Sequence, residues 1–211
     1  ETKLQHRVQK KIFMQQRVSA VLPSSRLGGS RRRGTHTLWS DWDFYVEGEI
    51  DVNAIRCQPW AMDVCDMRHL KLPIVTIKCA GGARVDVVGT ADTVKLLPIE
   101  SGALFELRIL KSHFSTHTGL SGRFNGVSSL VLECMVRAWY VNSSGQPFAP
   151  HVLDLDWSSV SFCAVHGIVP GSSGMPLSVF AGADQNIAAN VSESAVVLFK
   201  YILAKPVPED P

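Results

Sequence analysis

The segment from Gly28 to Val46 constrains this chain more than any other. A Gly28-Gly29-Ser30 turn is followed by Asp41-Trp42-Asp43, which runs directly into the apolar stretch Phe44-Tyr45-Val46. On a strand, residues two apart share a face, so Asp41 and Asp43 present two carboxylates to one side. Hard divalent cations take oxygen ligands and leave positions open for water and substrate phosphates, and this pair offers that arrangement. Upstream, Gly28 and Gly29 allow close backbone approach to an anion. Ser30 with Arg31, Arg32 and Arg33 is placed to open a helix whose free N–H groups face a phosphate. Together the two halves point to nucleotidyl transfer with magnesium.

Two neighbouring motifs are excluded. Gly29 and Gly34 have P-loop spacing, but Thr35 and His36 stand where that motif requires Lys and then Ser or Thr. A nucleophile elbow needs glycines on both sides of its serine, whereas Arg31 and Arg32 follow Ser30.

The pattern Gly29-Ser30, Arg33-Gly34-Thr35 and Ser40-Asp41-Trp42-Asp43 resembles the DNA polymerase beta nucleotidyltransferase superfamily. More narrowly, it resembles the branch of archaeal-type CCA-adding enzymes, oligoadenylate synthases and terminal uridylyltransferases. The resemblance implies a third carboxylate on a neighbouring strand, and Asp86 in Arg84-Val85-Asp86-Val87-Val88 fits in order and flanking hydrophobics. Asp41, Asp43 and Asp86 are then the catalytic and metal-ligating set for two magnesium or manganese ions. Gly29, Ser30, Lys111, Ser128 and Ser129 are implied nucleotide contacts, and Arg31, Arg33 and Thr35 are candidate phosphate or RNA contacts. The segment Asp184 to Val191 loosely resembles the Asp-Pro-x-x-Asn-Val-Ala stretch of that branch. The chain departs from the branch at Leu130, where a base-stacking tyrosine is usual, and at Ser115, where a second lysine is usual.

The expected fold is α+β, with a small mixed β-sheet palm lobe followed by a helical nucleotide-binding lobe. Val8, Ile12, Phe13 and Val18 predict a helix before Pro23. Strands are expected at Phe44–Val46, Ile74–Cys79 and Val85–Val88, with a helix from about Asn53 to Arg68. Helices are expected over Leu104–Phe114, Val127–Tyr140 and Val191–Leu203. The reading assigns residues 1–100 to the catalytic lobe, 101–204 to the helical lobe and 205–211 to a Pro-rich tail. A chain of 211 residues suits one compact catalytic unit with little room for an accessory RNA-binding domain.

The formal charge of +2 excludes a polybasic nucleic-acid binder, so any RNA contact must be local. The basic clusters at residues 6–11 with Arg17, and at Arg26 with Arg31 to Arg33, are where an RNA 3′ end would be held by its phosphates; for the first cluster a solvated helix face is the equal alternative. The cysteines, Cys57, Cys65, Cys79, Cys134 and Cys163, are widely spaced, which argues against a disulfide framework and for mostly buried thiols in a reducing compartment. Apolar stretches fall short of the roughly 18 residues of a membrane-crossing helix, so no membrane partner is expected and a soluble intracellular protein is. Three other constellations are read as structural. Cys57, Cys65 and His69 lack a tight zinc-binding pair, Asp154 and Asp156 follow no Gly-Ser turn, and His113 and His117 lack an intervening glutamate and are expected to be exposed or at an interface.

The leading expectation is a template-independent enzyme that adds nucleoside monophosphates from nucleoside triphosphates to an RNA 3′ hydroxyl. The alternatives are a synthase of an oligoadenylate or cyclic-dinucleotide messenger, a toxin-type nucleotidyltransferase, and a catalytically silent nucleotide- or RNA-binding module. Preferred nucleotide, acceptor and oligomeric state are not encoded in any motif of the chain.

Overall fold

The computed structural model describes residues 13–37, 40–70, 72–90, 96–118, 123–124, 126–143, 145–182 and 185–206. The basic residues between 6 and 11, Val8, Ile12, Asp184 and the tail from 207 onward were singled out above and lie outside that set. The architecture is α+β and falls into two compact units. One comprises Glu1–Arg32 and Asp41–Thr93, the other Arg33–Ser40 and Val94–Pro211. The sequence reading runs a single lobe to residue 100; in the structure the chain leaves the first unit at Arg33 and re-enters it at Asp41.

In the first unit, residues 13–21 form helix α1, which buries Met14 and Val18 at helical spacing. Pro23, with no N–H and a ring that disfavours helical geometry before it, ends the helix. Then come β1 (Arg26–Leu27), a single turn α2 (Gly29–Arg32), β2 (Trp42–Tyr45), α3 (Val52–Arg56), β3 (Ala61–Met67), β4 (Ile74–Cys79) and β5 (Arg84–Val88). The strands lie in the order β1-β2-β5-β4-β3. The β2–β5 pair is parallel and the other three are antiparallel, giving a mixed sheet. Alternation sends Trp42, Phe44, Val75, Ile77, Val85 and Val87 into one core with Met14, Val18 and Ile55.

The expected helix over Asn53–Arg68 is corrected to the short α3 and the strand β3. Asp51 caps α3 by accepting from the Ala54 N–H at 2.9 Å, and the chain turns at Cys57. Pro59 then prevents the helix from continuing. β3 is an edge strand with Met62 and Cys65 exposed, so its apolar residues do not show the clean alternation of a half-buried strand.

The second unit contains α4 (Ser101–Thr118), the short pair β6 (Arg123–Phe124) and β7 (Val127–Ser128), α5 (Ser129–Asn142) and α6 (Phe148–Leu153). It continues with β8 (Val160–Cys163), β9 (Gly167–Pro170), β10 (Val179–Phe180) and α7 (Glu193–Leu203). Helix α5 buries every residue from Val131 to Trp139, so it is the unit's central element. Its core includes Leu107, Leu110, Phe114, Leu132, Met135, Phe148, Phe162 and Phe199, with Phe114 and Phe199 stacked at 4.6 Å between centroids. Val127 and Val191 lie outside the helices expected to hold them. The three-stranded sheet β10-β8-β9 was not read from sequence, because its strands are only two to four residues long. Among the described residues, no helix is long and apolar enough to cross a membrane.

Candidate active site

The site in the first unit is built by strand register. β2 and β5 run parallel with Asp43 opposite Asp86, and with Trp42 opposite Val85. The tryptophan and valine point into the core, so the two aspartates stand on the opposite face. Gly29 meets the Asp43 side chain from α2. Its φ is +57°, and a Cβ at this position would overlap the Asp43 carboxylate. The Gly28 N–H also donates to the Asp43 carbonyl at 2.8 Å. Glycine is therefore required at position 29 by both conformation and space. Ser30 is buried beside it in the same turn.

Arginines share the charge of this face. Asp86 accepts from the Thr76 hydroxyl at 2.6 Å and from Arg84 Nε at 3.4 Å, and the same Nε lies 3.9 Å from Asp41 Oδ2. Arg31 donates to the Asp41 carbonyl at 3.1 Å and lays its guanidinium 3.9 Å over the Trp42 ring. Burial pushes the Asp41 carboxyl up to about 6; Arg84 pulls it down, the Asp86 charge pushes it up and Arg31 pulls it down. Burial likewise lowers the Arg31 pKa, while Asp43 and Asp41 act to raise it.

Among the described residues, no three His, Cys, Asp or Glu side chains converge as a ready metal site. The donors on this face are nonetheless all hard oxygens, and Asp41 and Asp86 repel each other, which fits a hard divalent cation. The thiols are mostly buried, as the sequence suggested, with two exceptions. Cys79, Cys134 and Cys163 are buried, whereas Cys57 and Cys65 are exposed rather than packed.

Other predicted residues gather in the second unit. Lys111, 4% exposed, donates to the Thr35 carbonyl at 2.7 Å. The Thr35 hydroxyl donates to Glu133 Oε2 at 2.8 Å, and Arg33 Nε donates to both Glu133 oxygens at 3.1 and 3.3 Å. Arg137 completes the set, donating to Glu133 at 3.0 Å and to the Leu97 carbonyl at 2.8 Å. Burial alone would raise the Glu133 pKa, but Arg33, the Thr35 hydroxyl and Lys111 outweigh it and hold the group below its usual value. Arg33, Thr35 and Lys111 thus meet around a fully buried glutamate that sequence reasoning missed. The available signal was Glu133 and Arg137, four apart inside an apolar helix, where unpaired charge is not tolerated.

Ser128 caps α5 by accepting from the Val131 N–H at 3.2 Å, and Ser129 is the first helical residue. Trp139 belongs to the core, and Tyr140 packs over Gly102 with 40% of its surface exposed. The remaining candidates are structural. His113, expected to be exposed or at an interface, is buried with Nε2 3.0 Å from the Ile202 carbonyl. Asp154 ends α6 and Asp156 accepts from Ser158 in an exposed turn. Asn186, in the segment compared with the Asp-Pro-x-x-Asn motif, knits the Val179 and Ala188 amides to Ser173 and Leu177.

No protein-family model and no curated protein matches the chain. Solved structures do. The polymerase core of TRAMP, an RNA surveillance complex, is 14% identical with a TM-score of 0.66, over 96% of this chain and 79% of that one. Terminal uridylyl transferase 4 from Trypanosoma brucei with bound UPU is 15% identical with a TM-score of 0.63, over 94% and 91%. A cytoplasmic RNA terminal U-transferase is 12% identical with a TM-score of 0.63, over 98% and 92%. At these identities the likeness carries the fold alone: this chain shares the α+β fold of those three structures.

Proposed function

We propose that this chain is a template-independent RNA 3′-terminal nucleotidyltransferase, transferring a nucleoside monophosphate from a nucleoside triphosphate and releasing pyrophosphate. One observation carries the reading: Asp43 and Asp86 stand opposite each other on parallel strands, with Gly29 packed on Asp43, within a fold shared with terminal uridylyl transferases. In the reaction the acceptor 3′ oxygen bonds to the α-phosphorus as the α–β bridging bond breaks. Asp41, Asp43 and Asp86 are the residues that would hold two magnesium or manganese ions, which when bound stabilise the attacking and leaving oxygens. Asp86 would also accept the hydroxyl proton. Gly29 allows backbone approach to the triphosphate, and Ser30, Arg31, Lys111, Ser128 and Ser129 are assigned its charge and hydrogen bonds. Arg33 and Thr35 are bonded to Glu133, and the Thr35 carbonyl holds Lys111.

The test supplies labelled ATP, CTP, UTP and GTP with magnesium or manganese, with and without RNA. RNA elongated by labelled nucleotide is expected, and Asp43→Asn or Asp86→Asn should abolish it while the protein stays folded. Product formed equally well without RNA would instead identify a messenger synthase. The Arg84 guanidinium beside Asp41 and Asp86 favours a second reading, a nucleotide-binding module without turnover. Nucleotide binding without transfer to any acceptor would establish that one.

A further inference from the structure

Arg84 has no part in the chemistry just described, yet its guanidinium lies beside two of its carboxylates. Asp43 is opposite Asp86 and Trp42 opposite Val85, and Asp41, just ahead of β2, comes beside Arg84 at the start of β5. Alternation puts Arg84 and Asp86 on the same face of β5. The side chain spans the gap, with Nε 3.4 Å from Asp86 Oδ1 and 3.9 Å from Asp41 Oδ2. The two arginines of this face differ in how they are held. Arg31 is fixed by the Trp42 ring and the Asp41 carbonyl, whereas Arg84 is 40% exposed and its side-chain contacts are to the two carboxylates. It can therefore leave without dismantling the turn that carries Gly29.

We infer that Arg84 is a built-in counter-cation, occupying the electrostatic place of a divalent ion between Asp41 and Asp86 and yielding it only when the ion arrives. The inference rests on the metal-binding reading of these carboxylates and adds a threshold to it. While Arg84 is engaged, the mutual repulsion of Asp41 and Asp86 is offset and the sheet face is held together. Metal entry must break both guanidinium contacts, because a divalent cation and a guanidinium repel each other at such separations. The site is therefore tuned toward weaker ion binding than its carboxylates alone would give.

Manganese binding read directly by the loss of free-ion electron paramagnetic resonance signal tests this without turnover. Arg84→Gln keeps the stem and removes the charge, and Arg84→Lys restores a cation. The glutamine variant should bind manganese about fivefold more tightly than wild type, the scale of one exposed ion pair, with lysine returning most of the way. Thermal melts should mirror this: Arg84→Gln melts below wild type without metal and gains more from added manganese. Equal or weaker manganese binding by Arg84→Gln, with wild type binding normally and Asp43→Asn binding poorly, overturns the counter-cation role and leaves the metal site standing. Absence of manganese binding in wild type and variants alike overturns the metal site and this inference with it.

Discussion

Replacing Gly29 by alanine is the sharpest probe of the carboxylate face. Two penalties combine at this position. The backbone sits at φ +57°, where a residue with a Cβ is less stable than glycine by about 1–2 kcal/mol. In addition the new methyl would occupy the space of the Asp43 Oδ2, Cγ and Cβ atoms, so the carboxylate must rotate away. A reacting group displaced by about 1 Å costs on the order of 100-fold in rate. Gly29→Ala should therefore lose about 1–2 kcal/mol in urea denaturation and about 100-fold or more in nucleotide incorporation at saturating substrate. Gly34→Ala separates the two effects, since position 34 has φ +73° but no atom within 4 Å of an added Cβ. It should lose similar stability and keep most of its activity. If Gly29→Ala matches Gly34→Ala in rate, the packing of Gly29 on Asp43 is irrelevant to catalysis and the site assignment is wrong.

Three more outcomes are expected. Asp41 has a folded pKa of about 6 against an ordinary 3.8, so the folded state holds its proton more tightly. Its contribution to stability is full below about pH 4 and is lost as pH rises through about 6, and Asp41→Asn should flatten the melting temperature across that window. Glu133→Ala should cost about 3–5 kcal/mol in urea denaturation because it strands half-buried Arg33 and buried Arg137, while Glu133→Gln, which can still accept from Thr35, should cost less. Cys57 and Cys65 should react quickly with a thiol reagent. Cys134, whose thiol burial pushes up to about 12, should react only after unfolding, along with Cys79 and Cys163.

The strands that carry Asp43 and Asp86 were legible because both alternate buried apolar and half-buried, mostly polar residues around a fixed spacing, a pattern that depends only on near neighbours in sequence. β3 was not legible, since an edge strand exposes residues such as Met62 and loses that contrast. β8 to β10 were hidden by their brevity, two of them pairing across a turn and the third arriving from residue 179. The Glu133 cluster was beyond local reading for a different reason. Its strongest partner, Arg33, is one hundred residues away, and no spacing rule links positions so distant. The same holds for Lys111, which the resemblance assigned to the triphosphate and whose bond to the Thr35 carbonyl joins positions far apart in the chain.

Arg33 and Thr35, in the stretch that belongs with the second unit, are held there by Glu133 and Lys111. The division has a consequence for modular exchange between proteins of this fold. A single crossover near residue 93 would join a foreign second half to a loop whose anchoring partners had been discarded. A productive chimera must move residues 33–40 together with 94–206, or carry the glutamate and its donors across as a set. Sequence drift is under the same rule: Arg33, Thr35, Glu133 and Arg137 are free to change only in concert, so the loop between the glycine turn and the paired aspartates should evolve at the pace of the buried helix α5 rather than of the surface.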